Sequence, residues 1–583
     1  MYFGPDNESL FGWLHRPPDG KRTDVGLVIC QPFGYEAICA HRSIRAFAHA
    51  VAASGIATLR FDYSSTGDSA GAAADGDQIA HWCDDIVAAI HALKRHAGVT
   101  RVCLLGMRLG ALLAGLVAAE HDVEALVAVA PVVTGRRYLR ELRTYQATAG
   151  AAGSAGRDEG GMEVTGFSLS PATVERLAAV DLTTMALNSP RVLILDRDDL
   201  ATASAWQEGL ARRGANVDYR RLPGFAEMMS TPHASQIPQQ MLAATVEWVG
   251  ALIGPRLPDA STEHAAPRRM PPPASLHLTG ARGIRLRESA CFVDDDRTIF
   301  GIVTAAAGER ESVGAAPKHG AVMLNCGATY HIGPSRMHVE LARQWAERGY
   351  VVLRLDLAGL GDSATRSGRP ENEVYPPDAV LDVGRAVDYL RRAHGVTNVT
   401  LIGLCSGAYH ALRAAVAGIP ATALLMINPL TFYWKPGSTL SDLQISEVVR
   451  NPGVYSERVL DASAWRRLLR GRVNVWRIAA IYARRIALAF ESALRDLGRL
   501  FHIHLPNDLG RDLELLADRG VKIVFVFARG DGGEELLRLQ GGVTVKRLGD
   551  RCRVYVIDGA DHIFSQSGPR KELLRLLDSE LPA

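Results

Sequence analysis

The sequence predicts an α/β protein of two tandem domains, each with a mostly parallel central sheet flanked by helices. Three observations support this. The chain has 583 residues, which is too long for one hydrophobic core. Short β-branched runs alternate with amphipathic helical stretches, a pattern typical of parallel sheets with crossover helices. The same order of elements also occurs twice: 25–30, 43–55, 57–62 and 67–69 correspond to 321–325, 337–349, 351–356 and 361–363. We interpret this as a duplicated domain.

Composition excludes several classes of protein. The formal net charge is +2, from 65 basic and 63 acidic residues, whereas a dedicated nucleic-acid binder carries a basic excess. No charge-free apolar run is long enough for a membrane span, and the first residues lack a signal-peptide pattern. The eight cysteines have neither CxxC pairing nor zinc-ligand spacing. We therefore expect a cytoplasmic protein in a reducing setting, with no metal and no cofactor.

Proline content marks the boundary between the two domains. Residues 254–283 include the run Pro271–Pro273 and few large hydrophobic side chains. Proline lacks an amide donor and has a fixed φ, so these residues are predicted to form an extended linker. The predicted domains are therefore 1–253 and 284–583.

A nucleophile motif follows the predicted strand 396–402 of the second domain. The chain reads Gly403-Leu-Cys405-Ser-Gly407 and continues as a helix, which is the strand–turn–helix setting of a nucleophile elbow. Side chains at 403 and 407 would collide with neighbouring elements. The helix N-terminus favours a thiolate at Cys405, and the Ser406 N–H can bind an oxyanion. Cys405 is the predicted nucleophile.

An acid and a histidine follow in the order expected of a catalytic triad. Asp531 comes just after the strand 522–528, and His562 after the strand 553–557. The carboxyl ends of parallel strands meet at one sheet edge, so His562 can take the Cys405 proton while Asp531 fixes its tautomer.

Ala328, in the loop after the first core strand, is the predicted second oxyanion donor. Two neighbours in that region, Tyr330 and His331, are candidates to line the substrate pocket, whereas Cys326 and His410 are expected to be structural.

These motifs resemble a known superfamily. From about Ile284 to its end, the chain resembles the α/β-hydrolases, and its G-x-C-x-G elbow is similar to that of dienelactone hydrolases and of cysteine-triad aminoacyl and acyl transferases from nonribosomal-peptide pathways. The resemblance implies acyl chemistry, including a role in natural-product biosynthesis.

The segment from elbow to acid is longer in the second half than in the first. A helical cap is therefore predicted at about 432–508, containing Trp434, Trp465, Trp476 and Tyr482.

The first domain has lost the triad at the corresponding positions. Arg108 occupies the nucleophile position, Asp199 retains the acid and Glu227 replaces the histidine. A guanidinium cannot act as a nucleophile, so this domain is predicted to be catalytically degenerate. We expect Arg108 to form an ion pair with Glu227. Alternatively, Arg108 holds a carboxylate, or a phosphate such as that of CoA or phosphopantetheine. Over about residues 1–250 this half resembles hydrolases that accompany bacterial exosortase systems.

The sequence favours one function and leaves others open. A cysteine nucleophile exchanges acyl groups with thiols at little free-energy change. A thioesterase or acyltransferase acting on acyl groups bound to CoA or to a carrier protein is therefore the leading hypothesis. The alternatives are a small-ester or lactone hydrolase and a non-catalytic scaffold or acyl-binding protein. The acyl group, the acceptor and the oligomeric state, including a homodimer, stay open.

Overall fold

The architecture comes from a computed structural model. It describes residues 1–4, 8–18, 23–71, 76–148, 161–189, 191–252, 275–308, 318–435, 437–438, 494–495, 501 and 505–582. The statements below concern these residues. Most of the predicted cap, including Trp465, Trp476 and Tyr482, lies outside them. None of the described helices is both long and apolar enough to cross a membrane.

The first half contains an eight-stranded sheet and a separate hairpin. Its strands are β1 Tyr2–Phe3, β2 Leu10–His15, β3 Val25–Cys30, β4 Ala57–Phe61, β5 Arg101–Met107, β6 Ala125–Val129, β7 Met162–Val164, β8 Phe167–Leu169, β9 Arg191–Arg197 and β10 Asn216–Leu222. The sheet order is β1-β2-β4-β3-β5-β6-β9-β10, and β7 pairs with β8. Within this sheet the pairs β4–β3, β3–β5, β5–β6, β6–β9 and β9–β10 are parallel, whereas β2 runs antiparallel to β4.

Helices cover both faces of this sheet. They are α1 Tyr35–Ala53, α2 Gln78–Ala97, α3 Leu109–Glu120, α4 Gly135–Thr148, α5 Pro171–Ala179, α6 Ser204–Arg212, α7 Phe225–Met228 and α8 Gln239–Gly250. Every residue of β3 is buried, as expected for a central strand packed on both faces. Local chemistry sets the ends of the helices. For example, the Asp77 carboxylate accepts the N–H groups of Ile79 and Ala80 at the start of α2, and Gly98 ends that helix at φ 73°.

The second half contains a nine-stranded sheet. Its strands are β11 Ser275–Thr279, β12 Arg285–Phe292, β13 Phe300–Ala306, β14 Lys318–Leu324, β15 Val351–Leu355, β16 Val396–Leu404, β17 Ala423–Ile427, β18 Lys522–Ala528 and β19 Cys552–Ile557. The order is β11-β12-β13-β15-β14-β16-β17-β18-β19, with parallel pairing from β15 to β19. The helices are α9 Met337–Ala346, α10 Ala379–His394, α11 Ser406–Val416, α12 Leu509–Asp518, α13 Gly532–Leu548 and α14 Ser567–Glu580. The predicted fold class, two mostly parallel sheets flanked by helices, is confirmed.

The range predicted as the linker, 254–283, overlaps a described strand. Strand β11 lies inside the predicted linker and pairs antiparallel with β12. Leu276 and Leu278 alternate with more exposed residues and are buried, which is the period-two pattern of a half-buried strand. Packing divides the chain into two compact units. The first comprises Met1–Cys291, Ile302–Gly308 and Ser335–Glu347, and the second comprises Phe292–Gly301, Glu309–Pro334 and Arg348–Ala583. The domain boundaries given above therefore remain predictions.

Candidate active site

Cys405 occupies a strained turn between β16 and α11. Its backbone has φ 58° and ψ −113°, a region that non-glycine residues rarely adopt, and its N–H donates to Ile427 O at 2.9 Å. A Cβ added to Gly403 would lie 2.1 Å from the Gly407 carbonyl carbon, and one added to Gly407 would lie 2.8 Å from Asn325 O. The steric reason predicted for both glycines is therefore confirmed.

The Gly403→Ala variant is expected to unfold at lower temperature than the unmodified protein. The new methyl group would overlap the backbone of the following helix, so relieving the clash requires the elbow to move. We expect a loss of about 2 kcal/mol or more in the free energy of unfolding. Differential scanning calorimetry of the second-half transition measures it. Gly568→Ala is the matched control because its Cβ would meet nothing within 4 Å. Equal melting of the two variants would contradict the close packing of the elbow.

The structure brings the acid and the histidine together. His562 Nδ1 lies 2.6 Å from Asp531 Oδ2, and the Asp531 side chain is only 3% exposed. Asp531 Oδ1 accepts the Gly533 N–H at 3.0 Å, so both carboxylate oxygens are held. Nε2 of His562 is buried, and Cys405 is the side chain with which the imidazole interacts besides Asp531. This nitrogen is thus available to exchange a proton with Cys405 or with a reacting group.

Asn428, which the sequence did not single out, holds the histidine loop. It follows β17 and is completely buried, with φ 43°. Its Nδ2 donates to His562 O at 2.7 Å, and its Oδ1 accepts the Ala528 N–H at 2.8 Å. One side chain therefore ties the end of β18 to the backbone of the histidine. The only signal in the sequence is a polar residue directly after an apolar strand.

Electrostatics favour a thiolate at Cys405 and an imidazolium at His562. A hydrogen bond from the Cys326 thiol lowers the pKa of Cys405 well below its usual value. Burial opposes this effect, while His562 and the Ser406 N–H add to it. Burial also disfavours a charged His562, but the Cys405 thiolate and Asp531 outweigh it and raise the pKa of the imidazole. Each of the two groups therefore favours the charged form of the other.

Cys326 therefore has a role that the sequence did not predict. Its loop is clamped beside the elbow, because the Gly327 N–H donates to Ser406 Oγ at 2.9 Å and that hydroxyl donates to Asn325 O at 3.3 Å. The hydrogen bond to Cys405, together with burial, raises the pKa of Cys326, so this cysteine stays a thiol. By contrast, the structural interpretation of His410 holds: it is buried, it bonds Val374 O and burial lowers its pKa to about 4.

Both predicted oxyanion donors lie in the region of Cys405. The Ser406 N–H contributes to the lowered pKa of Cys405. In the loop after β14, the N–H groups of Gly327 and Thr329 are occupied by Ser406 Oγ and Cys326 O, respectively. The Ala328 N–H between them has no partner among the described residues. It is therefore available to a ligand, as an oxyanion donor must be, and its role remains a prediction.

The prediction that His331 lines the pocket is wrong. Its side chain is fully buried, and Nδ1 lies 2.7 Å from Asp356 Oδ2. Asp356 also accepts Asn325 Nδ2 at 2.8 Å and the Asp362 N–H at 2.9 Å. His331, Asp356 and Asp362 have potential metal-ligand atoms within 4.8 Å of one another, but these hydrogen bonds already occupy the Asp356 carboxylate. Tyr330 is also buried, edge-on to His331, and its contact with substrate stays a prediction.

A second residue that the sequence analysis missed is Tyr375, in the loop between β15 and α10. Its ring stacks on Trp434, with centroids 4.2 Å apart, and lies edge-on to Tyr409 of α11. The hydroxyl is buried on the side of Cys405. Burial and then the negative charge of Cys405 raise its pKa, so Tyr375 stays protonated near the sulfur. No motif marks this tyrosine, because its position depends on the path of a long loop.

The elbow of the first half has the same backbone geometry but a different chemistry. Arg108 has φ 52° and ψ −120°, and it is 5% exposed. Its Nε donates to Glu36 at 2.9 Å, and its Nη2 donates to Glu141 at 2.6 Å. The predicted ion pair with Glu227 is therefore wrong: Glu227 is exposed on α7, and helices α1 and α4 supply the carboxylates instead. Asp199, the retained acid, is bound by Arg197 and is half exposed.

Comparisons with known proteins identify both halves with the same fold. A family model described as serine aminopeptidase, S33, matches residues 40–191, and one described as alpha/beta hydrolase family matches residues 319–576. The comparison with curated proteins gives no match.

Three solved structures that are similar to this chain each cover less than half of it. They include Est1E from Butyrivibrio proteoclasticus with ferulic acid bound, which is 20% identical and has a TM-score of 0.34 over 43% of this chain and 96% of its own. Another is XC6422 from Xanthomonas campestris, described as an α/β serine hydrolase without a lid, 18% identical with a TM-score of 0.30 over 44% and 95%. A third is mouse alpha/beta hydrolase domain-containing protein 10, 15% identical with a TM-score of 0.29 over 43% and 97%.

Proposed function

Since the chain contains two α/β-hydrolase regions, we propose that the second is an acyl-transfer enzyme that works through an acyl-cysteine intermediate. One observation carries the proposal: a cysteine stands in the strained turn between β16 and α11, and an aspartate holds the histidine that follows β19. Cys405 is the nucleophile, His562 the proton carrier and Asp531 the residue that orients it. Ser406 and Ala328 supply the oxyanion donors.

The proposed reaction has two balanced steps. In the first, the Cys405 thiolate attacks the carbonyl carbon of a thioester, and the N–H groups of Ser406 and Ala328 bind the oxyanion. Collapse of this tetrahedral intermediate breaks the bond between the carbonyl carbon and the leaving sulfur, and that sulfur takes the proton from His562. In the second step, His562 accepts a proton from water or another acceptor as that acceptor attacks the acyl-cysteine. Cys405 leaves as the thiolate, and the imidazolium forms again.

A thioester is the substrate class that best suits this nucleophile. Transfer from one thiol to another conserves the energy of the thioester bond, so an acyl-cysteine remains reactive toward the next acceptor. The lowered pKa of Cys405 also favours ionisation of the nucleophile before substrate arrives. We therefore propose acyl groups carried by CoA or by a carrier protein as donors.

Intact-protein mass spectrometry tests the covalent step. The full chain is incubated with acetyl-CoA and, separately, with octanoyl-CoA, and we expect a mass increase of one acyl group with at least one of them. Cys405→Ala should abolish the adduct. Cys552→Ala should leave it unchanged, because burial raises the pKa of that cysteine to about 12 and keeps it a thiol. An adduct that persists in Cys405→Ala, or its absence from all variants, would reject the proposal and favour a scaffold.

A second measurement separates transfer from hydrolysis. The acylated protein is mixed with N-acetylcysteamine, and the release of acyl-thioester is compared with the release of free acid. Faster acylation by small esters or lactones than by the CoA thioesters would instead identify an ester or lactone hydrolase, which the same nucleophile can support.

A further inference from the structure

The first half contains a cavity at its degenerate elbow. The cavity has a volume of about 210 Å³, and its lining includes Arg108 together with Leu142, Phe225 and Met229. A dry apolar cavity of about 150 Å³ accepts benzene, so this one is large enough for an aromatic ring or a short acyl chain. Most of the cavity lining is apolar, so the buried arginine indicates that specific polar contacts are made there.

The charges around the cavity cancel. Two arginines, Arg108 and Arg197, and two glutamates, Glu36 and Glu141, line it. Glu36 is held on both oxygens, since Oε1 accepts from Arg108 and Oε2 accepts from the Tyr138 hydroxyl at 2.9 Å. An anion would have to compete with the carboxylates already bound to Arg108. This arrangement argues against the carboxylate or phosphate ligand considered from the sequence.

Arg108 nevertheless retains one donor group. Its Nε and Nη2 are bound to the two glutamates, whereas Nη1 has no partner among the described residues. Phe225 lies beneath both guanidinium groups, with centroid distances of 5.5 Å to Arg108 and 4.2 Å to Arg197. A guanidinium N–H makes a charge-assisted hydrogen bond to a neutral carbonyl oxygen, and such an acceptor adds no charge to the balanced cavity.

We propose that this cavity is a binding site for an uncharged carbonyl compound with an apolar ring or chain, whose carbonyl oxygen accepts a hydrogen bond from Arg108 Nη1. Arginine cannot act as a nucleophile, so the compound binds without reacting. Cys39, which also lines the cavity, does not capture it either, because burial raises the pKa of that cysteine to about 12. The first half is thus a binding module. This inference does not depend on the reaction at Cys405.

A matched pair of probes tests the charge requirement. The amide 4-bromobenzamide and the anion 4-bromobenzoate have nearly the same shape and differ in charge. Binding to the full-length Cys405→Ala variant is measured by isothermal titration calorimetry, so that no covalent chemistry interferes. We expect the amide to bind about tenfold or more tightly than the benzoate. Equal or tighter binding of the benzoate, or no binding of the amide, would overturn the proposal.

Two further measurements locate the site. Met229→Trp fills the cavity and should weaken amide binding about tenfold or more, whereas Leu200→Trp places the same side chain at an exposed position and should not. The anomalous signal of bromine in crystals of the Cys405→Ala protein gives the position directly. A bromine peak beside Arg108 supports the assignment. A peak elsewhere, or full affinity in a folded Met229→Trp variant, rejects it.

Discussion

Replacing Asp531 with asparagine is expected to lower kcat/KM for acyl-CoA substrates by about 10³- to 10⁴-fold. Asp531 Oδ2 accepts the Nδ1 proton of His562, which leaves Nε2 directed to the reacting groups. An asparagine amide facing Nδ1 would donate to it and stabilise the wrong tautomer. It would also remove the negative charge that supports the imidazolium. The effect is therefore on chemistry rather than on substrate affinity.

Asparagine is a suitable replacement because it preserves the second role of this residue. Asp531 Oδ1 caps α13 by accepting the Gly533 N–H, and an asparagine oxygen can do the same. Asp558→Asn is the matched control: that carboxylate belongs to an exposed ion pair with Arg529. Steady-state kinetics with melting curves measure both variants. Retention of kcat/KM within tenfold in a folded Asp531→Asn protein would contradict the triad.

The pH dependence of Asp531→Asn provides an independent check. The hydrogen bond and charge of Asp531 raise the pKa of His562, so their loss lowers it. The thiolate–imidazolium pair exists between the pKa of Cys405 and that of His562. The upper limit of this range, seen as the basic limb of the alkylation or activity profile, should therefore move to lower pH. A substitution that damages only packing would reduce activity without moving this limb.

The three predicted triad residues share one property: each follows a strand in the parallel part of the sheet. Cys405, Asp531 and His562 come after β16, β18 and β19, and the topology itself brings those ends to one edge. The glycines of the elbow are similarly constrained by local sterics. For these positions, strand pattern and chain order are sufficient, because their neighbours are determined by the fold class.

The residues that the sequence misplaced depend on contacts between elements. Glu36 and Glu141 lie on α1 and α4, and nothing in the periodicity of those helices shows that both face Arg108. Aligning the two halves suggested Glu227 because it replaces a histidine in sequence. The short helix α7 instead exposes this side chain to solvent. Alignment of the two halves thus gave the positions to compare but not the partners of Arg108.

The second large effect is expected for Cys326→Ala, which should shift the ionisation of Cys405. The Cys326 thiol is the foremost cause of the lowered pKa of Cys405, so its removal raises that pKa. A thiol with a higher pKa is protonated up to a higher pH, and only the thiolate reacts. Alkylation of Cys405 by iodoacetamide at acidic pH should therefore slow strongly, and the acid limb of kcat/KM should move to higher pH. Rates at high pH should change much less.

Two variants separate the loss of this hydrogen bond from a packing defect. Cys326→Ser retains a donor and should restore part of the low-pH alkylation rate, whereas Cys552→Ala removes a buried thiol from β19 and should leave the profile unchanged. The site of alkylation is read by peptide mass spectrometry. An unshifted profile in Cys326→Ala would mean that His562 and the Ser406 N–H suffice to ionise Cys405. A shift reversed by serine would instead mean that the loop after β14 also sets the pKa of Cys405, because the same loop carries Cys326 and Ala328.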